Sequence, residues 1–197
     1  MSDARERKAA LRTRLLRTRR DLTAADRAAA ATALSQTVRG LPELAAPGPV
    51  AAYVSIGAEP GTRELIDTLR NAGTRVLLPV LLPDNDLDWA AYDGPDALHR
   101  TGRGLFEPTG EHLGPQAVTT ARAVLLPGLA VDARGVRLGR GGGSYDRVLG
   151  RLREAAVDPL LMVLLYAHEV VDRVPQEPHD HLVDLAVTPG GVHRFTR

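Results

Sequence analysis

Apolar residues follow a helical period over residues 4–38. A first amphipathic helix is predicted from apolar residues at roughly helical spacing, which are Ala4, Leu11, Leu15 and Leu22. Thr23 followed by Asp26 is a capping pattern, which predicts that a second helix begins there. Leu34 and Val38 continue the apolar face of that second helix.

From residue 50 onward the pattern changes to short apolar runs that are separated by turns and helical segments. Strands are predicted at residues 50–54, 75–79, 87–92, 123–126, 160–165 and 183–187. Helices are predicted over 60–69 and after residue 143, where the apolar positions are Tyr145, Val148, Leu149 and Leu152. The run 160–165 is continuously apolar, as is typical of a strand buried on both faces.

This alternation of strands and helices predicts an α/β layer structure. Pro79 is expected to end the second strand, and residues 94–115 are expected to be irregular because glycine and proline recur there. No internal repeat or composition change divides the chain. We therefore predict one domain over residues 1–197.

The composition of the chain excludes several classes of function. The chain is 44% hydrophobic and 25% charged, as in ordinary soluble proteins, and its net charge of +1 gives no reason to expect nucleic-acid binding. Because it has no cysteine, disulfides, thiolate zinc sites and a cysteine nucleophile are excluded. No apolar run reaches membrane-spanning length or resembles a secretory signal, so we expect a cytoplasmic protein without a membrane partner.

The first twenty residues hold eight basic and two acidic side chains. A solvated basic helix face is the favoured interpretation, with a nucleic-acid or membrane surface as the alternative. Lys8 is the only lysine, against twenty-four arginines. Since arginine serves wherever a generic cation suffices, the single lysine suggests a site that needs a compact ammonium, although one residue can also persist by chance.

The segment with the most chemical information is Arg-Leu-Gly-Arg-Gly-Gly-Gly-Ser-Tyr-Asp-Arg, residues 137–147. Its glycines allow positive φ and a close backbone approach to anionic oxygens, while Arg137 and Arg140 supply positive charge. Asp146 is a hard oxygen ligand suited to Mg²⁺. A predicted strand before the loop and a helix after it favour a phosphate site over a merely flexible loop. The loop nevertheless matches neither the P-loop nor the dinucleotide-binding pattern.

Other polar residues carry weaker signals. Glu59 follows the first predicted strand and is suited to ligand recognition, although a surface carboxylate at a helix start is the commoner role. Asp180 and Asp184 lie four residues apart near the last predicted strand. His179 and His181 lack further ligands, so zinc is not expected.

Several segments occur together in the order of a known family. They are Lys8-Ala-Ala-Leu-Arg12, 55–59 with Thr62, Leu105-Phe106-Glu107-Pro108, 126–132, 137–147, and 175–180 with Val187-Thr188. On these segments the chain resembles the 5-formyltetrahydrofolate cyclo-ligases, also called 5,10-methenyltetrahydrofolate synthetases. The family usually has tyrosine where this chain has Ser144, so one aromatic contact near the ligands differs.

The resemblance implies a three-layer α/β/α sandwich around a mostly parallel sheet, related to the sugar-phosphate isomerase and CoA-transferase group. It implies an ATP- and Mg²⁺-dependent ligase that converts 5-formyltetrahydrofolate to 5,10-methenyltetrahydrofolate, releasing ADP and phosphate. The formyl oxygen attacks the γ-phosphate, and the phosphorylated iminium intermediate then closes its ring through the nitrogen at position 10. A monomer is expected. The alternative is a folate- or nucleotide-binding paralogue without turnover, for which Ser144 is the main support.

The resemblance also implies residue roles. The residues similar to ATP contacts are Lys8, Arg12, Arg137, Leu138, Gly139, Arg140, Gly141, Gly142, Gly143, Ser144 and Tyr145. The residues similar to folate contacts are Val54, Glu59, Arg140, Gly141, Gly142, Gly143 and Ser144. Lys8, Arg140 and Tyr145 are the expected catalytic residues, and Asp146 and Asp180 are the expected Mg²⁺ ligands.

Overall fold

The computed structural model describes residues 3–177 and 180–196. In these residues the helices are α1 (Asp3–Asp21), α2 (Ala24–Arg39), α3 (Arg63–Asn71) and α4 (Ser144–Glu154). The strands are β1 (Val50–Ala51), β2 (Val76–Leu81), β3 (Leu87–Ala91), β4 (Leu98–Arg100), β5 (Phe106–Pro108), β6 (Ala123–Pro127), β7 (Ala130–Val131), β8 (Arg137–Leu138), β9 (Leu160–Leu164), β10 (Leu185–Thr188) and β11 (Gly191–Arg194).

Within the described residues, seven strands form one sheet in the order β11-β10-β9-β6-β1-β2-β3. The five inner strands are mutually parallel, and the two edge strands β3 and β11 are antiparallel to their neighbours. The continuously apolar run at 160–165 is β9, which lies between β6 and β10 as a doubly buried strand should. The predicted mostly parallel sheet is confirmed.

Successive strand residues point to opposite faces of this sheet, and each face carries its own helices. On one face Leu125 and Met162 pack in a cluster with residues of α2 and α3, such as Leu34 and Ile66. On the other face Val124, Leu126 and Val163 pack with α4. This gives the predicted three layers.

Helix α1 lies outside these layers. Its Leu15 packs against β7 and β8, a short antiparallel pair, in a cluster that includes Leu129, Val136 and Leu138. Thr23 caps α2 reciprocally with Asp26, as the sequence predicts. None of the helices in the described part of the chain is long and apolar enough to span a membrane.

Two predictions about strand ends are wrong. Strand β2 continues through Pro79 to Leu81, because β1 pairs with β2 only up to Leu77. Two residues beyond Pro79, the N–H of Leu81 donates to the side-chain carboxylate of Glu107 and not to the backbone of a neighbouring strand. Proline on that side of β2 therefore removes no ladder hydrogen bond. The first predicted strand, 50–54, is shorter than expected and keeps only Val50–Ala51.

Three further strand pairings in the structure were not predicted from the sequence. The region 94–115, expected to be irregular, contains the antiparallel pair β4 and β5. The β7–β8 pair and the edge strand β11 are also additional. All of these strands have two to four residues, which is too short for a period of two to be visible in sequence.

Candidate active site

A cavity of about 380 Å³ opens where the parallel strands end. The chain leaving β1 contributes Tyr53 and Val54, the end of β2 contributes Leu81, and the end of β6 contributes Pro127. Its remaining walls include Leu105, Phe106 and the loop 139–143. Carboxyl ends of parallel strands are the usual place for ligands in open α/β sheets, so the topology alone marks this cavity.

The glycine loop, residues 139–143, adopts the conformation that its composition predicts. Gly141 and Gly143 have φ angles of 96° and 80°, which residues with a β-carbon rarely adopt. Gly139 passes so near Arg137 that an added β-carbon would lie 2.9 Å from the guanidinium. Gly143 is the N-cap of α4 and provides no side-chain cap. The loop therefore presents backbone N–H groups at a helix N-terminus, which is an arrangement suited to anions.

Arg137 lies under this loop as a buried cation. Its guanidinium donates to the Pro127 carbonyl at 2.9 Å and to Asp146 at 3.2 Å. Its Nε has no hydrogen-bond partner among the described residues. Burial lowers the pKa of Arg137, and Asp146 and Asp180 oppose that change. Among the described residues, Arg137 is therefore a buried cation of the cavity lining with one donor unused, beside the glycine loop.

Glu59 and Arg140 meet across the cavity at 3.1 Å. The Glu59 side chain is only 8% exposed, and its second oxygen accepts the N–H of Ile56 at 2.9 Å. The preceding loop is held by Thr62, whose hydroxyl donates to the Tyr53 carbonyl and accepts the N–H of Ser55. Glu59 is thus a fixed, recessed carboxylate, whereas Arg140 is half-exposed.

Two tyrosines, the buried Tyr53 and the partly buried Tyr145, lie near Glu59. The hydroxyls of Tyr53 and Tyr145 have no hydrogen-bond partner among the described residues, and both residues line the cavity. Burial, together with the negative charge of Glu59, raises the pKa of each phenol above its ordinary value. Both phenols therefore stay protonated at neutral pH and keep a donor. Tyr53 was not predicted, because an aromatic residue at a strand end is ordinarily core.

Helix α1 brings its cations to the loop from the other side. Arg12 Nε donates to the Gly139 carbonyl at 2.9 Å. Lys8, only 5% exposed, donates to Glu177 at 2.8 Å and to Asp180 at 2.7 Å. Lys8, which the sequence analysis set apart from the solvated basic face, is thus buried against carboxylates, and Arg12 is also drawn out of that face by a partner more than a hundred residues away.

The two predicted Mg²⁺ ligands differ in availability. The Asp146 carboxylate is 56% exposed and keeps one oxygen beyond its contact with Arg137, which suits a cation that arrives with phosphate. Both oxygens of Asp180 accept hydrogen bonds from Lys8, and one also accepts the N–H of Glu177. No cluster of three His, Cys, Asp or Glu side chains suited to a metal occurs in residues 3–177 and 180–196.

His181 lies close enough to this site for the charges of Arg137, Asp146 and Asp180 to act on it, whereas Asp184 lies away from the site. Burial and the charge of Arg153 lower the pKa of His181, which therefore stays neutral. His179 lies outside the described residues. Asp184 accepts the N–H of Leu161 at 2.7 Å, at the amino end of β9 and away from the cavity.

Most of the predicted site residues gather around this one loop. The predicted residues that line the cavity are Val54, Glu59, Arg137, Gly139, Arg140, Gly141, Gly142, Gly143, Ser144, Tyr145 and Asp146. Lys8, Arg12 and Asp180 lie beside the loop and outside that lining. Leu138 is buried among the residues that pack on α1. Ser144, at the first turn of α4, faces the cavity where the family's tyrosine would stand.

A three-layer α/β protein with this loop, helix N-terminus and set of arginines is of the class that binds an anionic small molecule at the ends of its strands. The chain belongs to the 5-formyltetrahydrofolate cyclo-ligase family, whose sequence profile matches residues 4–189.

Individual relatives agree with this assignment. The chain is 40% identical over 187 residues to the 5-formyltetrahydrofolate cyclo-ligase of Mycolicibacterium smegmatis, covering 92% of this chain and 93% of the relative. It is 33% identical over 147 residues to the Escherichia coli K12 enzyme of the same name, covering 73% and 79%. The solved structure of Aquifex aeolicus 5,10-methenyltetrahydrofolate synthetase superposes with a TM-score of 0.82 at 28% identity, covering 96% and 93%.

Proposed function

We propose that the protein converts 5-formyltetrahydrofolate and ATP to 5,10-methenyltetrahydrofolate, ADP and phosphate. The observation that carries this proposal is the joint placement of Glu59, Arg140 and the glycine loop around one cavity. A carboxylate that recognises a donor-rich heterocycle and a loop that binds phosphate are needed within the same site, since the reaction transfers a phosphoryl group onto the folate itself. Membership of the cyclo-ligase family supports the same reaction.

The folate would occupy the part of the cavity formed by Val54, Glu59 and the apolar side chains near Phe106. Glu59 would accept hydrogen bonds from the pterin ring, because its carboxylate is recessed and already fixed by the Ile56 N–H. The apolar walls would cover the ring faces. A polar group fixed in advance gives orientation at little entropic cost.

The ATP phosphates would lie along residues 139–143, between the N-terminus of α4 and the cations of α1. Arg12, Arg137 and Arg140 surround the loop, and Lys8 lies one turn before Arg12 on the same helix. Such groups stabilise the charge that develops on a transferring phosphoryl group. Lys8 would exchange its contact with Asp180 for phosphate oxygens.

The chemistry needs positioning and charge stabilisation and no protein nucleophile. The formyl oxygen bonds to the γ-phosphorus as the bond to the ADP oxygen breaks, which turns a poor leaving group into phosphate. The nitrogen at position 10 then attacks the activated carbon and loses its proton to solvent or to the departing phosphate, as the C–O bond breaks and phosphate leaves. Tyr145, whose hydroxyl is unpaired and protonated, would donate to an oxygen in this sequence.

We assign Mg²⁺ binding to Asp146, with Asp180 as the second carboxylate. The exposed Asp146 carboxylate fits this role, while Asp180 would first have to release Lys8. When bound, the ion would supply positive charge to the phosphate oxygens. The same displacement would free Lys8 for phosphate.

The decisive experiment is an absorbance assay for methenyltetrahydrofolate with 5-formyltetrahydrofolate, ATP and Mg²⁺. We expect product only when all three are present. Folded protein that yields no product but still binds folate or ATP by calorimetry would favour the paralogue without turnover. Ser144→Tyr, which introduces the family's usual residue, should then be assayed in parallel, because recovery of turnover would assign the defect to that position.

A further inference from the structure

A second buried cation on α1, Arg19, takes no part in the site described above. Arg19 is 1% exposed and Glu169 is fully buried. Nε of Arg19 donates to one Glu169 oxygen at 2.5 Å, and the terminal nitrogen donates to the other at 2.9 Å. The same terminal nitrogen also donates to the Gly128 carbonyl at 2.6 Å. Burial lowers the pKa of Arg19, but Glu169 outweighs this effect and leaves it above its ordinary value.

The partners of this ion pair lead to both sides of the cavity. Gly128 directly follows Pro127, whose carbonyl accepts the hydrogen bond from Arg137. Glu169 also accepts the N–H of Tyr166 at 2.9 Å. The Tyr166 hydroxyl in turn donates to the carbonyl of Ala58, the residue before Glu59, at 3.3 Å. One ion pair is thus connected to the chain on either side of the ligand cavity.

The pair also sets the position of α1. Lys8, Arg12, Leu15 and Arg19 are spaced four, three and four residues apart, so all four lie on one face of the helix. Arg19 is roughly 16 Å from Lys8 along the axis at 1.5 Å per residue. The apolar contacts of Leu15 permit the helix to slide or rotate, whereas the fork of Arg19 has one orientation on its two partners.

Holding a helix does not by itself require buried charges. A buried ion pair is often no more stabilising than apolar side chains of similar volume, because both charges lose their hydration. Its distinctive property is direction, since the guanidinium fixes angles as well as distances. For the site, what matters is that Lys8 and Arg12 are held in one position relative to the glycine loop.

We propose that Arg19 and Glu169 are positioning residues for the reaction, which set helix α1 in register with the loops that carry Arg137 and Glu59. This inference rests on the proposed function. Neither side chain contacts the cavity, so the pair acts through the residues it holds.

The test separates positioning from stability. Arg19→Met removes the guanidinium from the buried Glu169 carboxylate, which keeps only the Tyr166 N–H and the more distant His168 at 3.8 Å, so we expect a fall in melting temperature of about 10 °C. The double variant Arg19→Met with Glu169→Gln removes both charges and keeps an acceptor for the Tyr166 N–H. It should recover most of that loss. Its kcat/KM for ATP, assayed well below every melting temperature, should stay at least about tenfold below wild type.

The matched control is the exposed pair of Arg194 and Glu43, which are 2.9 Å apart on the far edge of the sheet. The same two substitutions there should leave all kinetic constants unchanged. Calorimetry with ATP provides a readout without turnover, and the double variant at Arg19 and Glu169 should bind ATP more weakly. Arg19→Lys keeps the charge without the fork, so it should pair with Glu169 yet also show a raised KM for ATP.

Kinetic constants and ATP affinity equal to wild type, in a folded double variant, would overturn the proposal and leave the pair a structural role. If the double variant does not fold, unchanged constants in Arg19→Lys would overturn it equally. Failure of the proposed function is a different result, because the wild-type protein would then form no methenyltetrahydrofolate.

Discussion

At the residue scale, the position of Lys8 turns a compositional oddity into a physical requirement. Its ammonium is buried and makes hydrogen bonds of 2.7–2.9 Å to two carboxylates. A guanidinium is larger and planar, so it does not fit three such bonds at one point. The single lysine of the chain therefore occurs where a compact cation has close partners.

We expect Lys8→Arg to raise the KM for ATP by about tenfold, which corresponds to about 1.4 kcal/mol. The charge is conserved, so the loss would come from shape. Arg14→Lys, an exposed position on the same helix, is the control and should change nothing. Steady-state kinetics with varied ATP measures both, and an unchanged KM in Lys8→Arg would remove Lys8 from the ATP site.

The exposed carboxylate of Asp146 gives a second prediction at this scale. Asp146→Asn keeps the shape but removes the charge, so the Mg²⁺ concentration for half-maximal activity should rise about tenfold. Glu154→Gln at the other end of α4 is the matched change. If the Mg²⁺ titrations of the two variants coincide, Asp146 is not a metal ligand.

At the scale of elements, the glycine loop contains residues that the fold needs and one that it does not. Gly141 and Gly143 require positive φ, and Gly139 requires the absence of a β-carbon. A β-carbon at Gly142 would meet nothing within 4 Å, and its φ is not in the positive region. The fold alone therefore gives no reason for glycine at position 142.

Gly142→Ala accordingly separates function from folding. Its melting temperature should equal or slightly exceed that of the wild type, because alanine restricts the unfolded chain. Its kcat/KM for ATP should fall about tenfold if phosphate approaches the backbone at this point. Gly143→Ala should lose both stability and activity because of its left-handed φ. Full activity in Gly142→Ala would show that the phosphate does not approach the backbone at residue 142.

The β7–β8 pair depends on Asp132, a buried carboxylate. It accepts N–H groups of Arg134, Val136 and Val174, and the Arg134 guanidinium. Burial alone would raise the pKa of Asp132, but these donors hold it below its ordinary value. A depressed pKa in the folded state contributes stability above the unfolded pKa of about 3.9, which is lost as the pH falls through the folded pKa.

We therefore expect Asp132→Asn to cost about 1–3 kcal/mol of unfolding free energy at pH 7. The difference from the wild type should shrink below about pH 4, where the native carboxylate also becomes neutral. Urea titrations at several pH values measure this, with the exposed Asp96→Asn as control. A difference independent of pH would contradict the assigned pKa.

The sequence allowed local elements to be predicted where the signal was local. β6, α4 and β9 follow from apolar periodicity, and the glycine loop follows from its own composition. The β7–β8 pair was invisible because its strands have two residues each. The carboxylate partners of Lys8 and Arg19 were equally invisible, since they lie 150 or more residues away and a charge does not reveal whether it is buried.

At the scale of the whole molecule, the surface offers little for self-association. Among the described residues only Leu113 is an exposed large hydrophobic side chain, at 38%. Stable dimers usually bury a larger apolar area than one such side chain provides. We expect the protein to elute as a single chain in size-exclusion chromatography with light scattering across about 1–100 µM. A mass that doubles with concentration would contradict this expectation.

The attachment of α1 also bears on how the protein is made. Lys8 pairs with residues 177 and 180, and Arg19 pairs with residue 169, so helix α1 cannot make these ion pairs until the chain has been synthesised beyond those residues. Until those residues are available, a helix with an exposed apolar face would be prone to aggregate. Because helix α1 is rich in charged side chains, we expect it to stay hydrated until the carboxylates that pair with Lys8 and Arg19 have been synthesised.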